Sequence, residues 1–377
     1  MENPFYYYRI VTGEDFADRK AELEELSLAV TSQARVFLVS PRRYGKSSLL
    51  TALLTRFDRD SVMTVYFDVS KVTSLRALLE KFASETIKAS ETGLDKVAKT
   101  VKDFFPRLRP KITIEQDGTP ALKLDVAHGE SDLLENAEEI LDAPEVFAKK
   151  RRKPFLVVLD EFQEVLSFNG LDLEKLLRAV IQRHEHVSYV FAGSRPSLLL
   201  DMVSNRSRPF YKMGKIFNLG KIPRAEFKPF LLARFRKTGY KIDGPLMDHI
   251  LDLAEDYPYN AQYLCHELWN HARDKKHITV TEVDFCLNKI LGSLTAVYAQ
   301  ILEGLTLKQR NLLRAIAVAG GYNIHSEHFR KSHDLGAAST VAMSGKLLRN
   351  KELLEVESGR YYIPDVFLKE WIKRNLN

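Results

Sequence analysis

Sulfur and indole are scarce in this chain: two cysteines, six methionines and two tryptophans in 377 residues. Cys265 and Cys286 show no metal-ligand spacing. That excludes a disulfide framework and a cysteine zinc site, and predicts two reduced, buried thiols in a cytoplasmic protein. Long apolar runs are missing too. No stretch reaches the ~18 uninterrupted apolar residues that read as a spanning helix, so no membrane partner is expected. The opening Met1-Glu-Asn-Pro-Phe-Tyr-Tyr-Tyr8 lacks the basic start and apolar run of a secretory signal. Repeats and low-complexity tracts are absent. So is strong charge asymmetry: the net charge is +6 and the pI about 9, which permits a nucleic-acid partner without requiring one. Much of the excess lies in residues 301–377, with 12 Lys+Arg against 8 Asp+Glu.

What remains is an ordinary globular composition, 45% hydrophobic and 28% charged, long enough for two or three domains. Its most informative stretch is Phe37-Leu-Val-Ser-Pro-Arg-Arg-Tyr-Gly-Lys-Ser-Ser-Leu-Leu50. A short apolar strand runs into a loop and then a helix. Ser40, Pro41, Arg42, Arg43, Tyr44, Gly45, Lys46 and Ser47 have the spacing of a phosphate-binding P-loop, and Ser48 follows in the helix. Such a loop turns backbone N–H groups onto phosphates at a helix N-terminus. Gly45 allows close approach, Lys46 brings an ammonium to the β- and γ-phosphates, and Ser47 offers a hydroxyl to Mg²⁺. Serine stands at position 40 where the pattern has glycine. A side chain there is expected to narrow the turn's choices and loosen nucleotide binding. A Gly-Lys-Ser turn capping an ordinary helix is the bland alternative.

The second chemical stretch is Pro154-Phe-Leu-Val-Val-Leu-Asp-Glu-Phe-Gln-Glu-Val-Leu166. A buried strand ending in Asp160-Glu161 suits a Walker B element, with Asp160 for Mg²⁺ and Glu161 to polarise the attacking water. Another apolar strand, Val187 to Gly193, ends at Ser194, a candidate for contacting the γ-phosphate or orienting the water. The alternative for Ser194 is a helix cap at a strand-to-loop turn. Residues 204–215 hold four cations, of which Arg206 and Arg208 are candidates for an arginine finger, in this subunit or a neighbouring one; a solvated basic loop is the alternative. Lys149-Lys-Arg-Arg-Lys153 reads as a solvated basic loop.

Strands and helices alternate, so the fold class is α/β, with a parallel sheet. Helices are expected over 16–26, 46–57, 74–105, 131–149 and 173–184. Two alternating runs around Asp117-Gly118 predict a β-hairpin inserted at about 110–127. The domain reading is a nucleotide-binding core over 1–222, a helical lid over 223–300 and a winged helix over 301–377. The last comes from three helices followed by two short strands around Ser358-Gly359. Its third helix carries Ser339, Thr340, Ser344, Lys346, Arg349 and Asn350 as polar positions. Winged helices serve both DNA and protein partners, so the pattern leaves the partner open.

With these residues assembled, the chain resembles the archaeal/bacterial P-loop ATPases of the AAA+-like and STAND group, relatives of the origin-recognition ATPases. Phe16-Ala-Asp-Arg-Lys-Ala-Glu-Leu23 is similar to that family's opening Phe-x-Gly-Arg-x-x-Glu-Leu, with Asp18 for glycine. Ser40 to Leu49, Leu156 to Gln163 and Ala192-Gly-Ser194 match its loop and strands. Asp256-Tyr-Pro258 partly meets a Gly-x-Pro before the lid helix. The resemblance implies ATP and Mg²⁺ as ligands, hydrolysis to ADP and phosphate, and nucleotide contacts from Arg19 and Pro258. It also implies action as a switch or on DNA; the alternative is a signalling switch with slow or no turnover whose winged helix binds a protein partner, and a second copy of the chain is a further candidate partner.

Overall fold

The computed structural model describes residues 2–58, 61–90, 111–114, 120–123, 130–168 and 170–376. The chain divides into two compact units, one of residues 10–221 and one of residues 1–9 with 222–377.

The first unit is built on five parallel strands: β1 (Arg35–Val39), β2 (Met63–Asp68), β5 (Phe155–Asp160), β6 (Val187–Gly193) and β7 (Lys215–Asn218). Their order across the sheet is β2-β5-β6-β1-β7. β5 and β6 are buried at every position, which is why they read as unbroken apolar runs rather than alternating ones. Helices α1 (Lys20–Thr31), α2 (Lys46–Arg56), α3 (Leu75–Ser90), α4 (Glu130–Arg151), α5 (Gly170–Gln182) and α6 (Pro196–Ser204) complete the unit. Phe37, Val65, Phe67, Val157 and Phe191 on one face of the sheet pack with Leu79, Phe82, Phe147 and Leu173 from the helices. On the other face, Ser188 Oγ donates to Val30 O of α1 at 2.6 Å.

α1 begins at Lys20 rather than Phe16, because Asp18 and Arg19 take left-handed conformations, φ 48° and 67°. α3 is described as far as Ser90, and the rest of the helix expected to residue 105 lies outside the described residues. The inserted hairpin is present as β3 (Lys111–Ile114) and β4 (Pro120–Lys123), antiparallel with Lys111 opposite Lys123. Its turn, with Asp117-Gly118, lies outside the described residues. Lys149 to Arg151 form the last turn of α4 rather than a loop, where cations favour the negative end of the helix dipole.

In the second unit, α7 (Arg224–Lys237), α8 (Gly244–Leu253), α9 (Pro258–His271) and α10 (Val280–Glu303) precede α11 (Leu307–Ala319), α12 (Glu327–Ser332), α13 (Ala338–Asn350), β8 (Glu355–Glu357), β9 (Arg360–Tyr362) and α14 (Val366–Asn375). Helical segment and winged helix belong to one body. Trp371 Nε1 donates to Thr295 at 3.0 Å, Lys369 pairs with Glu255 at 2.6 Å, and Phe367 meets Tyr263 edge-on. Residues 1–9 belong here as well. Phe5 is buried against Phe235, ring centroids 4.4 Å apart, and Asn3 donates to His266 O at 3.0 Å. α10 is long and apolar enough to cross a membrane by length and composition. It opens with a capping box, Thr279 with Glu282, and buries Val283, Cys286, Leu287 and Ile290 on one side. Burial raises the Cys286 thiol to about 11 and the Cys265 thiol higher still.

A polar anchor ties α4 to the start of β6. Glu145 accepts from the N–H groups of Glu185 and His186 at 3.1 and 2.9 Å, and from His186 Nδ1 at 2.8 Å. Lys149 lies 3.2 Å away. Burial raises the Glu145 carboxyl, but His186, Lys149 and the backbone donors outweigh it and hold it at about 2. Its folded value lies below its unfolded value, so its stabilisation is complete above pH ~4.5 and is lost as pH falls toward ~2. Glu145→Gln is expected to cost about 2–3 kcal/mol at pH 7 and to flatten the acid limb of a stability–pH profile in that window, as read by urea melts.

Candidate functional site

β1 ends at Val39 and the chain turns at once into the loop ahead of α2. Ser40 is fully buried, its N–H donating to Gly193 O at 3.2 Å and its hydroxyl to Pro41 O at 3.0 Å. The left-handed positions of this loop are Arg43 and Gly45, at φ 70° and 88°. Ser40 is not one of them, so a serine there strains no backbone and the expected narrowing of the turn has no physical basis. At Gly45 a Cβ would meet nothing within 4 Å; glycine is needed there for its conformation, not for space.

Lys46, the first residue of α2, is 7% exposed. Its ammonium donates to Asp160 Oδ1 in a short contact and to Glu161 Oε1 at 2.6 Å. Asp160 also accepts from Tyr66 Oη at 2.7 Å and from the Glu161 N–H at 2.9 Å. Burial, and then Asp160 beside it, pushes the Tyr66 phenol well above its ordinary range, so it remains a donor. Glu161 follows β5 in a left-handed conformation, φ 50°. Its Oε2 accepts from Ser194 Oγ at 2.7 Å, from Ser194 N at 3.2 Å and from Gln163 Nε2 at 2.7 Å. Burial raises the Glu161 carboxyl, and the Lys46 charge with these donors reverses the shift and brings it to about 2.

Lys46, Asp160, Glu161 and Ser194 therefore meet at the carboxyl edge of the sheet, the position where open α/β sheets bind ligands. Ser47 lies beside them at the start of α2. Ser48 is turned elsewhere, its hydroxyl accepting the Val11 N–H at 3.1 Å. Arg42 and Arg43 are exposed and Tyr44 is buried. Arg19 is 2% exposed. Its guanidinium braces the loop from behind, donating to Tyr44 O at 3.1 Å and Gly220 O at 2.7 Å and pairing with Glu22 at 2.6 Å. Arg206 is exposed. Arg208 is held in its own subunit by Glu174 at 2.6 Å, a fully buried carboxylate. Burial raises that carboxyl against the pull of Arg208. Pro258 is the first residue of α9, in the second unit.

Two residues of this cluster were not picked out from the sequence as site residues. Gln163 stood in the quoted Asp-Glu-Phe-Gln pattern, but an uncharged side chain carries no chemical signal of its own. Tyr66 sits two residues before the end of β2, and only the pairing of Asp68 with Asp160 places it beside the site.

Ser47 and Asp160 supply oxygen donors of the kind Mg²⁺ takes. Among the described residues there is no group of three or more His, Cys, Asp or Glu that could form a metal cage. The donor set thus fits a cation that keeps waters and phosphate oxygens as its other ligands.

A family model described as an ATPase domain predominantly from Archaea matches residues 16–253. The chain belongs to this ATPase family. A second model, a probable winged helix domain, matches residues 296–374. No curated protein matches the sequence. Among solved structures, the Walker-type ATPase PABY2304 of Pyrococcus abyssi is similar at 16% identity and a TM-score of 0.67, covering 98% of this chain and 99% of its own. The Aeropyrum pernix ORC2 protein, solved with ADPNP and ADP, is similar at 15% identity and a TM-score of 0.58, with 99% and 98% covered. The Aeropyrum pernix ORC1 protein in complex with DNA gives 14% identity and a TM-score of 0.50, with 96% and 93% covered. At these identities the likeness is one of fold. The family model supports an ATP-binding ATPase domain.

The loop geometry gives a paired expectation. Ser40→Gly should leave ATP affinity within about twofold, because no strain is relieved. Gly45→Ala should weaken it by about 5- to 30-fold, since a left-handed Ala costs roughly 1–2 kcal/mol before any phosphate is met. Titration calorimetry of both variants checks the pair.

Proposed function

We propose that the protein is a Mg²⁺-dependent ATPase whose loop Ser40–Ser47 binds the phosphates and whose Glu161 polarises the attacking water. The observation that carries this reading is the convergence of the buried Lys46 and Asp160 with the half-buried Glu161 and Ser194. A lysine so placed is a ready cation for a triphosphate, at present neutralised by two carboxylates. Ser47 and Asp160 would hold Mg²⁺, which supplies charge neutralisation on the phosphates. Ser194 would turn its hydroxyl between Glu161 and the terminal phosphate. ATP binding and hydrolysis are proposed to drive movement of the helical lid and the winged helix. ATP shifts such an equilibrium only as far as it binds the two states unequally.

For the output, DNA is the proposed target, supported by the winged helix and by the fold likeness to an origin-recognition protein solved with DNA. A protein partner is the second reading. It is favoured by Met343 and Leu347, which lie four residues apart on α13 and are 59% and 41% exposed, an apolar pair on the helix a DNA reader would use.

Lys46→Ala is expected to abolish ATP binding, and Glu161→Gln to leave binding intact while lowering turnover by about 10²–10⁴-fold. Unchanged binding in the first variant, or unchanged turnover in the second, would remove the assignment. DNA affinity should fall steeply between ~50 and ~200 mM salt if several phosphates are neutralised. Absence of DNA binding at ~50 mM salt would favour the protein partner.

A further inference from the structure

We propose, building on the ATPase reading, that Gln163 is a positioning residue. It fixes Glu161 Oε2, so that Oε1 is the oxygen free to face water when Lys46 is drawn onto phosphate. The two oxygens of Glu161 are held differently. Oε1 has the Lys46 ammonium at 2.6 Å. Oε2 accepts three hydrogen bonds, two from Ser194 and one from Gln163 Nε2 at 2.7 Å. The Lys46 ammonium and the Ser194 hydroxyl are both assigned to the nucleotide, which leaves Gln163 Nε2 at 2.7 Å as the side-chain donor that stays with the carboxylate, beside the longer Ser194 N–H contact at 3.2 Å.

Gln163 is built to do this and little else. It is 3% exposed. The 3₁₀ turn Phe162–Ser167 folds its amide back onto the residue that begins the turn. That turn is nailed down by Phe162, fully buried, with ring centroids 4.6 Å from Phe191 and 5.3 Å from Phe210. The amide orientation is forced, since rotating it would set oxygen against the carboxylate. Its other end, Oε1, has no hydrogen-bond partner. It lies against Gly193, where a Cβ would come within 2.4 Å of it. A buried acceptor without a conventional donor is unfavourable. Its retention here points to a job done by the N–H end. Gly193 is the residue at the tip of β6 that leaves room for it, directly before Ser194.

The test is a double-mutant cycle in the full-length protein. Gln163→Leu keeps the volume and removes the donor. Turnover should fall by about 10- to 100-fold, as expected when a general base loses its aim, while KM and ATP affinity stay within about twofold. In the Glu161→Gln background, Gln163→Leu should cause no further loss, because it acts only through Glu161. Gly193→Ala, which pushes the amide away, should give the same split of kcat from KM. Losses that multiply in the double variant, an effect confined to KM, or an unchanged kcat would overturn this role. A parent protein without ATP turnover, or a Glu161→Gln variant as fast as the parent, would overturn the ATPase reading itself and this role with it.

Discussion

The site depends on one buried positive charge. Lys46 lies at the start of α2 with almost no exposure, and an ammonium in that setting requires compensation. Asp160 and Glu161 provide it from β5. The strand order makes this possible: β1, which launches the loop, and β5, which carries the carboxylates, flank β6 on either side. Ser194 and Gly193 at the tip of β6 therefore sit between the two, and hydrogen bonds close the gap. In this arrangement the carboxylates satisfy the lysine in place of a phosphate. On the function proposed above, a triphosphate would exchange with these carboxylates for the lysine's charge, so binding would be a charge exchange rather than the filling of an empty cleft.

The α/β class, the core strands β1, β5 and β6 and the two polar stretches that meet at their ends were legible because they rest on strong local signals. Buried parallel strands are short unbroken apolar runs, and Lys46-Ser47 and Asp160-Glu161 carry charge at their ends. Legibility stopped where a residue's role depends on a partner far along the chain. Arg19 reads as a candidate ligand from its motif, yet its guanidinium is taken up by Tyr44 O and Gly220 O, and nothing near it in sequence says so. Arg208 reads as one of several cations in a loop until the buried Glu174, on α5, is known. The same holds for residues 1–9. Their aromatic character is visible, but not that Phe5 packs into the unit formed by residues 222–377.

The departures from the family pattern separate into two physical kinds. Asp18 and Asp256 stand where the pattern has glycine, and both adopt left-handed backbone, φ 48° and 56°. Aspartate tolerates that region better than most side chains, and Asp256 is further fixed by Arg224 at 2.8 and 2.9 Å. There a backbone that favours glycine is formed without one. Ser40 is different, because its backbone never enters the region that favours glycine. Two pattern positions thus hold a left-handed backbone that aspartate meets, and the third, Ser40, does not.

The scarcity of cysteine has a practical consequence. Both thiols belong to the second unit, on α9 and α10, and both are buried with raised pKa values. Neither is a ready nucleophile while its helix stays packed. The unit that carries the phosphate loop has no thiol at all. Alkylation kinetics on the unmodified protein therefore report the opening of one unit without interference from the other, a spectator probe already in the natural sequence.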